Sequence, residues 1–88
     1  MKKDFYILTS DTRVRQEGEK FILVNIATQG LHFISPMAQR VVSRMDGKTS
    51  LEEIISSEFP DINADDENVI CNFVGKLVKR RLIRKLEG

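Results

Sequence analysis

The stretch ADDENVICNFVGKLVKRRLIRKL, residues 64–86, decides how the rest of the chain is read. Val69, Ile70, Phe73, Val74, Leu77 and Val78 recur at steps of three and four, the spacing of one face of an α-helix. The entrance is acidic (Asp65, Asp66, Glu67) and the exit basic (Lys76, Lys79, Arg80, Arg81, Arg84, Lys85). A helix dipole favours that charge order. The stretch predicts a long amphipathic helix capped by Asp65 or Asp66, with Leu82–Leu86 either extending it or leaving as a short strand. No other segment has so long an apolar face, so the domain is expected to pack around it. Val69 to Val78 cover about half the helix circumference. That is wider than the roughly 100° stripe needed to cover a core, which leaves one edge of the arc for a partner.

Working outward, Pro60 ends the preceding helix, whose apolar residues are Leu51, Ile54, Ile55 and Phe59. Thr49-Ser50-Leu51-Glu52 has the spacing of a capping box at its start. Before it, Ser35-Pro36 marks another helix entry, serine capping the first amides and proline fitting the first turn. Met37, Ala38, Val41, Val42 and Met45 give that helix its apolar face, and Gly47 is expected to close it as a left-handed cap. Upstream, Thr12–Gln16 alternates as an edge strand, and Glu17-Gly18-Glu19 turns the chain. Phe21–Ile26 is rich in β-branched residues and reads as a central strand. Ala27–Gly30 reverses it, Gly30 supplying the permissive backbone, and Leu31–Ile34 returns as a third strand. Residues 1–11 are read as an N-terminal arm, with a short extra strand as the alternative, and residues 12–88 as one domain. The fold class is α+β: a three-stranded antiparallel sheet followed by three helices, winged helix-turn-helix-like, with the last two helices as the pair.

Eighty-eight residues with 41% hydrophobic and 31% charged content suit one small folded domain. The net charge of +1 is unevenly spread: residues 76–88 carry +5 and the other seventy-five carry −4. The single cysteine, Cys71, rules out an intrachain disulfide and is read as a half-buried packing residue. Phe5–Leu8, after Lys2 and Lys3, is too short for a signal-peptide core, and no segment approaches membrane-span length. A cytoplasmic protein with no membrane role is expected. No nucleophile is paired with a base, no glycine-rich phosphate loop is present and no carboxylate cluster has metal spacing. The expectation is a chain that is no enzyme on its own and uses no cofactor.

From Phe21 to Ile83 the pattern resembles the PqqD-like family, the RiPP recognition elements that bind leader peptides of ribosomally made natural products. The matching pieces are FILVNIATQGLHFISP entering a helix, Met45-Asp46-Gly47, Ser50-Leu51-Glu52-Glu53-Ile54, and the closing Leu82-Ile83. Ile34-Ser35 stands where the family has Leu-Asn, and Arg81-Leu82-Ile83 where it has Gly-Leu-Ile. Without that glycine, the exit from the last helix is expected to differ. The resemblance implies that a leader peptide adds as an antiparallel strand to the third strand and lies against the third helix. Carried onto this chain, the strand side is Leu31, His32, Phe33 and Ile34. On the helix side, the edge of the arc adds Val69, Phe73, Lys76 and Arg80. The implied partners are a precursor leader peptide and a maturation enzyme, either a radical-SAM maturase or a leader peptidase. The open strand edge is also a route to homodimerisation.

Two other classes compete. A DNA-binding winged helix would place the N-terminal end of its recognition helix against base edges. Here that end is Asp65-Asp66-Glu67, which phosphates repel, so no nucleic-acid partner is expected. An enzyme-docking domain without a peptide role is the third class. The sequence does not fix which face of the third strand points inward.

Overall fold

A computed structural model describes residues 4–86. Residues 1–3 of the expected arm and 87–88 of the tail lie outside the described residues. The chain forms β1 (Phe5–Leu8), β2 (Thr12–Glu17), β3 (Lys20–Asn25), β4 (Gly30–Ile34), α1 (Pro36–Val42), β5 (Asp46–Ser50), α2 (Leu51–Glu58), α3 (Ala64–Lys79) and β6 (Ile83–Leu86). The α+β class, the three helices and the β2-β3-β4 antiparallel sheet are as the sequence predicts. The simple order of sheet then helices is not, because a second antiparallel sheet, β5-β1-β6, is assembled from three distant segments.

Phe5–Leu8 is therefore the central strand of a sheet and no arm, the alternative of a short extra strand being the one realised. Its residues pair with Ile83–Leu86 in continuous register, and Phe5 and Ile7 pair with Ser50 and Asp46 across an irregularity. Tyr6 turns inward and joins Leu23, Val41, Val42, Ile54, Val74, Leu77 and Ile83 in the core. Thr9 ties the two sheets to the end of α3: its N–H donates to Leu82 O at 3.2 Å and its hydroxyl to Arg81 O at 3.0 Å.

Several local signals act one or more residues from where the spacing put them. Ser50, fully buried, caps α2 by accepting from the Glu53 N–H at 3.2 Å, so the box starts at Ser50 and not Thr49. Asn63, not Asp65 or Asp66, caps α3, its Oδ1 accepting from the Asp66 N–H at 2.8 Å. The acidic run instead fills the first turn, where the dipole favours it. Gly47 does adopt positive φ (78°), but α1 has already ended at Val42. Gly47 lies in β5, where its left-handed backbone is what favours glycine; an added Cβ would also displace the flexible end of Leu86, whose Cδ1 is 2.7 Å away. In the β3–β4 turn the left-handed residue is Gln29 (φ 60°) rather than Gly30, while Asn25 Oδ1 accepts from the amides of Ala27 and Thr28.

The tail leaves as a strand. Leu82 N–H donates to Leu77 O and Arg81 N–H to Val78 O, both at 3.0 Å, the paired bonds of a Schellman motif. Arg81 takes the left-handed position (φ 61°), and the chain leaves α3 there to enter β6. An L-residue there pays roughly 1–2 kcal/mol, part of which glycine forfeits through its freer unfolded chain. Arg81→Gly is thus expected to stabilise the protein by about 1 kcal/mol, raising the thermal midpoint by roughly 4–8 °C in a domain of this size. Circular-dichroism melts showing no rise would mean that the left-handed turn carries no strain.

Candidate peptide-binding groove

The register of the β2-β3-β4 sheet settles the facing of β4. Val14, Leu23 and His32 stand opposite one another in one row, and Phe21 is opposite Ile34 in the next. Leu23 is fully buried and Ile34 nearly so, so His32 and Ile34 face the core and α3. Leu31 and Phe33 point away, 59% and 62% exposed. The two pairs contribute differently: His32 and Ile34 present side chains on the α3 side, whereas Leu31 and Phe33 do not, although Leu31 still lines a hollow beside Arg80.

β4 is an edge strand, paired to β3 on one side alone. α3 approaches β4 where Phe73 nears His32, ring centroids 6.4 Å apart, and where Arg80 joins Leu31 and His32 around one hollow. At about 100° per residue, Val69, Phe73, Lys76 and Arg80 fall within an arc of about 60°, beside the inward stripe of Ile70, Val74 and Leu77. Burial agrees: the inward three are buried, Phe73 is half-buried against the core, and Val69 is 65% exposed. Val69 is therefore not a core residue although it continues the apolar arc.

Two hollows flank this side of α3, the first against α1 and the second against β4. The first is apolar and lined by Ser35, Met37, Ala38, Val41, Val69, Ile70 and Phe73. Its volume is about 100 Å³, below the roughly 150 Å³ of a cavity that takes benzene, so it suits a single side chain. The second is polar, lined by Asn25, Thr28, Gly30, Leu31, His32, Arg80 and Leu82. The His32 and Phe73 rings, with centroids 6.4 Å apart, stand between them. Of the residues singled out from sequence, Leu31, His32, Val69, Phe73 and Arg80 are thus brought together along one groove. Lys76 is exposed one turn before Arg80 on the same helical face and lines neither hollow.

Met37 and Ser35 were missed. The helical period of α1 assigns Met37 to the core, but it lies in the first turn, projects past the core, and is 49% exposed. Its position directly after the Ser35-Pro36 entry was the available signal. Cys71 is exposed and not half-buried, on the side of α3 away from the groove. Burial, and then the carboxylates of Glu67, Glu52 and Asp4, push its thiol up, keeping it protonated at neutral pH.

Electrostatically the groove has a neutral histidine beside a fixed cation. Burial, then the Arg80 guanidinium, hold His32 below its ordinary value of 6.5. The unfolded chain therefore binds the proton more readily than the folded one. The associated stability is complete above pH 6.5 and falls as pH drops toward the lowered folded midpoint. In an NMR titration, the His32 ring should show a midpoint below 6.5 that Arg80→Ala raises only part of the way, since burial remains. A midpoint unmoved by Arg80→Ala would separate the two side chains electrostatically.

No family model matches the chain, and no curated protein matches it. Among the described residues, no group of three or more His, Cys, Asp or Glu is placed to hold a metal ion, and no helix is long and apolar enough to cross a membrane.

Proposed function

We propose that this protein captures the leader segment of a ribosomally synthesised precursor peptide as an added strand on β4 and presents the precursor to a separate modifying enzyme. The observation that carries this reading is the character of the β4 edge. Among the described residues, β2, β4, β5 and β6 each have an open edge. Three of them contain ionised side chains: Arg13, Arg15 and Glu17 in β2, Asp46 and Lys48 in β5, Arg84 and Lys85 in β6. Charged side chains are a common protection against unwanted strand pairing. β4, Gly-Leu-His-Phe-Ile, has none while His32 is neutral; its Gly30, Leu31 and His32 line the polar hollow beside Arg80 of α3, and the apolar hollow between α1 and α3 opens just past its end, at Ser35. An unguarded edge beside side-chain pockets is the equipment of β-augmentation: backbone bonds give affinity and pockets give selectivity.

The resemblance to PqqD-like peptide chaperones supports the same assignment, with a radical-SAM maturase or leader peptidase as the enzyme served. Such a cytoplasmic module works by raising the enzyme's local substrate concentration and turns nothing over itself. The acidic first turn of α3, Asp65, Asp66 and Glu67, speaks against a DNA role for that helix. The test is amide-shift mapping of the labelled protein with a 12-residue peptide selected from a random display library. Changes confined to residues 30–35 and 69–80 are expected. Changes elsewhere, or steeply salt-dependent binding of duplex DNA, would contradict the assignment.

A further inference from the structure

The groove has chemically distinct ends, and this gives its occupant a direction. β4 and α3 run antiparallel: the start of β4 lies with Arg80 around the polar hollow, and Ser35, just past its end, lies with Val69 and Phe73 around the apolar one. Beyond Met37 the surface turns acidic, where Met37, Phe59, Pro60, Asp61, Ile62 and Asp66 line a further hollow. At the other end the Arg80 guanidinium has no ion pair or hydrogen bond among the described residues. Lys76 precedes it on the same face. The groove thus passes from carboxylates, over an apolar middle, to a cation.

A strand continuing this antiparallel sheet must run against β4, and hence in the same direction as α3. Val69 to Arg80 spans roughly 16 Å at about 1.5 Å per helical residue. Strand residues facing one side recur every ~7 Å. Three alternate side chains of an added strand therefore cover the distance from Val69 past Phe73 to Arg80.

We infer, resting on the strand-addition reading, that the groove selects peptides with one chemical order from N to C. The first inward side chain is apolar and enters the hollow of Met37, Val69 and Phe73. The second, two residues on, is apolar and lies over Phe73 and His32. The third, four residues after the first, is a carboxylate that meets Arg80 and the hydrogen-bonding groups of Asn25, Thr28 and His32. A carboxylate at the N-terminal end is rejected, because it would approach Asp61 and Asp66. Reversal of the peptide leaves the middle apolar but mismatches both ends, bringing the carboxylate toward Asp61 and Asp66 and an apolar side chain to Arg80.

The experiment is selection of a random 12-residue display library on the intact chain, on Arg80→Glu and on the milder Arg80→Gln. Each variant is first checked for its folded spectrum. The wild-type consensus is expected to place Asp or Glu four residues after an apolar residue. Arg80→Gln should lose that carboxylate preference and Arg80→Glu should replace it with Lys or Arg. A synthetic consensus peptide should bind at least tenfold more tightly than the same sequence reversed. Equal binding of the reversed peptide, or a consensus with the acid first, overturns the ordering while β4 amide shifts still show strand addition. Enriched peptides that leave the β4 amides unmoved, or no enrichment at all, overturn both.

Discussion

Removal of residues 1–8 is expected to abolish the cooperative thermal transition of this protein. The deletion takes out β1, the strand between β5 and β6, and leaves both without a partner. It also removes Tyr6 from the core, where the residue is 9% exposed. Truncating a buried aromatic side chain alone costs about 3–5 kcal/mol, against a total stability of roughly 5–15 kcal/mol for domains of ordinary size. The loss of the strand's backbone pairing adds to that. A protein with a mere N-terminal arm would melt unchanged after the same deletion, so a differential scanning experiment separates the two outcomes cleanly. Retention of the wild-type transition would show that the β5-β1-β6 sheet contributes nothing to the fold.

That deletion also marks the boundary of what the residues disclose by themselves. β3 and β4 were legible because branched and aromatic residues fill short runs bounded by turn residues. The helices were legible because apolar residues keep the 3.6 period over two or more turns. The second sheet gives neither signal. Asp46-Gly47-Lys48-Thr49-Ser50 has little intrinsic strand preference and is extended because it pairs with β1. Ile83–Leu86 is a strand because the Schellman turn at Arg81 aims it along β1. Pairing among segments thirty-nine and more residues apart, as Ile7 with Asp46, is a tertiary fact that local pattern does not encode.

Val69→Asp is the substitution expected to separate binding from stability most sharply. Val69 is 65% exposed on α3, so the folded protein loses little packing. Surface changes of this kind stay within about 0.5 kcal/mol, roughly 2–4 °C in a domain of this size. In the groove the same residue forms a wall of the apolar hollow, and a carboxylate there would oppose the burial of an aliphatic side chain. Such burial contributes about 1.5–3 kcal/mol, so the affinity for a selected peptide should fall about tenfold or more. Isothermal titration together with a thermal melt gives both numbers. Parallel losses of stability and affinity would place Val69 in the core instead.

The site was legible to the extent that it lies on regular elements. The period of α3 put Val69, Phe73, Lys76 and Arg80 on one face, and the strand pattern put Leu31–Ile34 at an edge. Which of the strand residues look into the groove depended on cross-strand register with Leu23, a pairing that no single strand reveals. Met37 escaped for a related reason: helical period assigns it to a face but does not say that the core stops before the first turn of α1. Phe73 belongs to both categories that sequence kept apart, packing against the core and also lining the apolar hollow.

The most direct test of strand addition is amide hydrogen exchange, measured with and without a selected 12-residue peptide. In the free protein, the amides of Leu31–Ile34 that point away from β3 have no strand partner and should exchange quickly, as should the outward amides of the other edge, β2. With the peptide bound, the β4 amides should slow by about an order of magnitude or more, since each becomes an interstrand hydrogen bond, while the β2 edge stays unchanged. Tight binding that leaves β4 exchange unaltered, or that protects β2 instead, would contradict the assignment of β4 as the peptide-capturing edge.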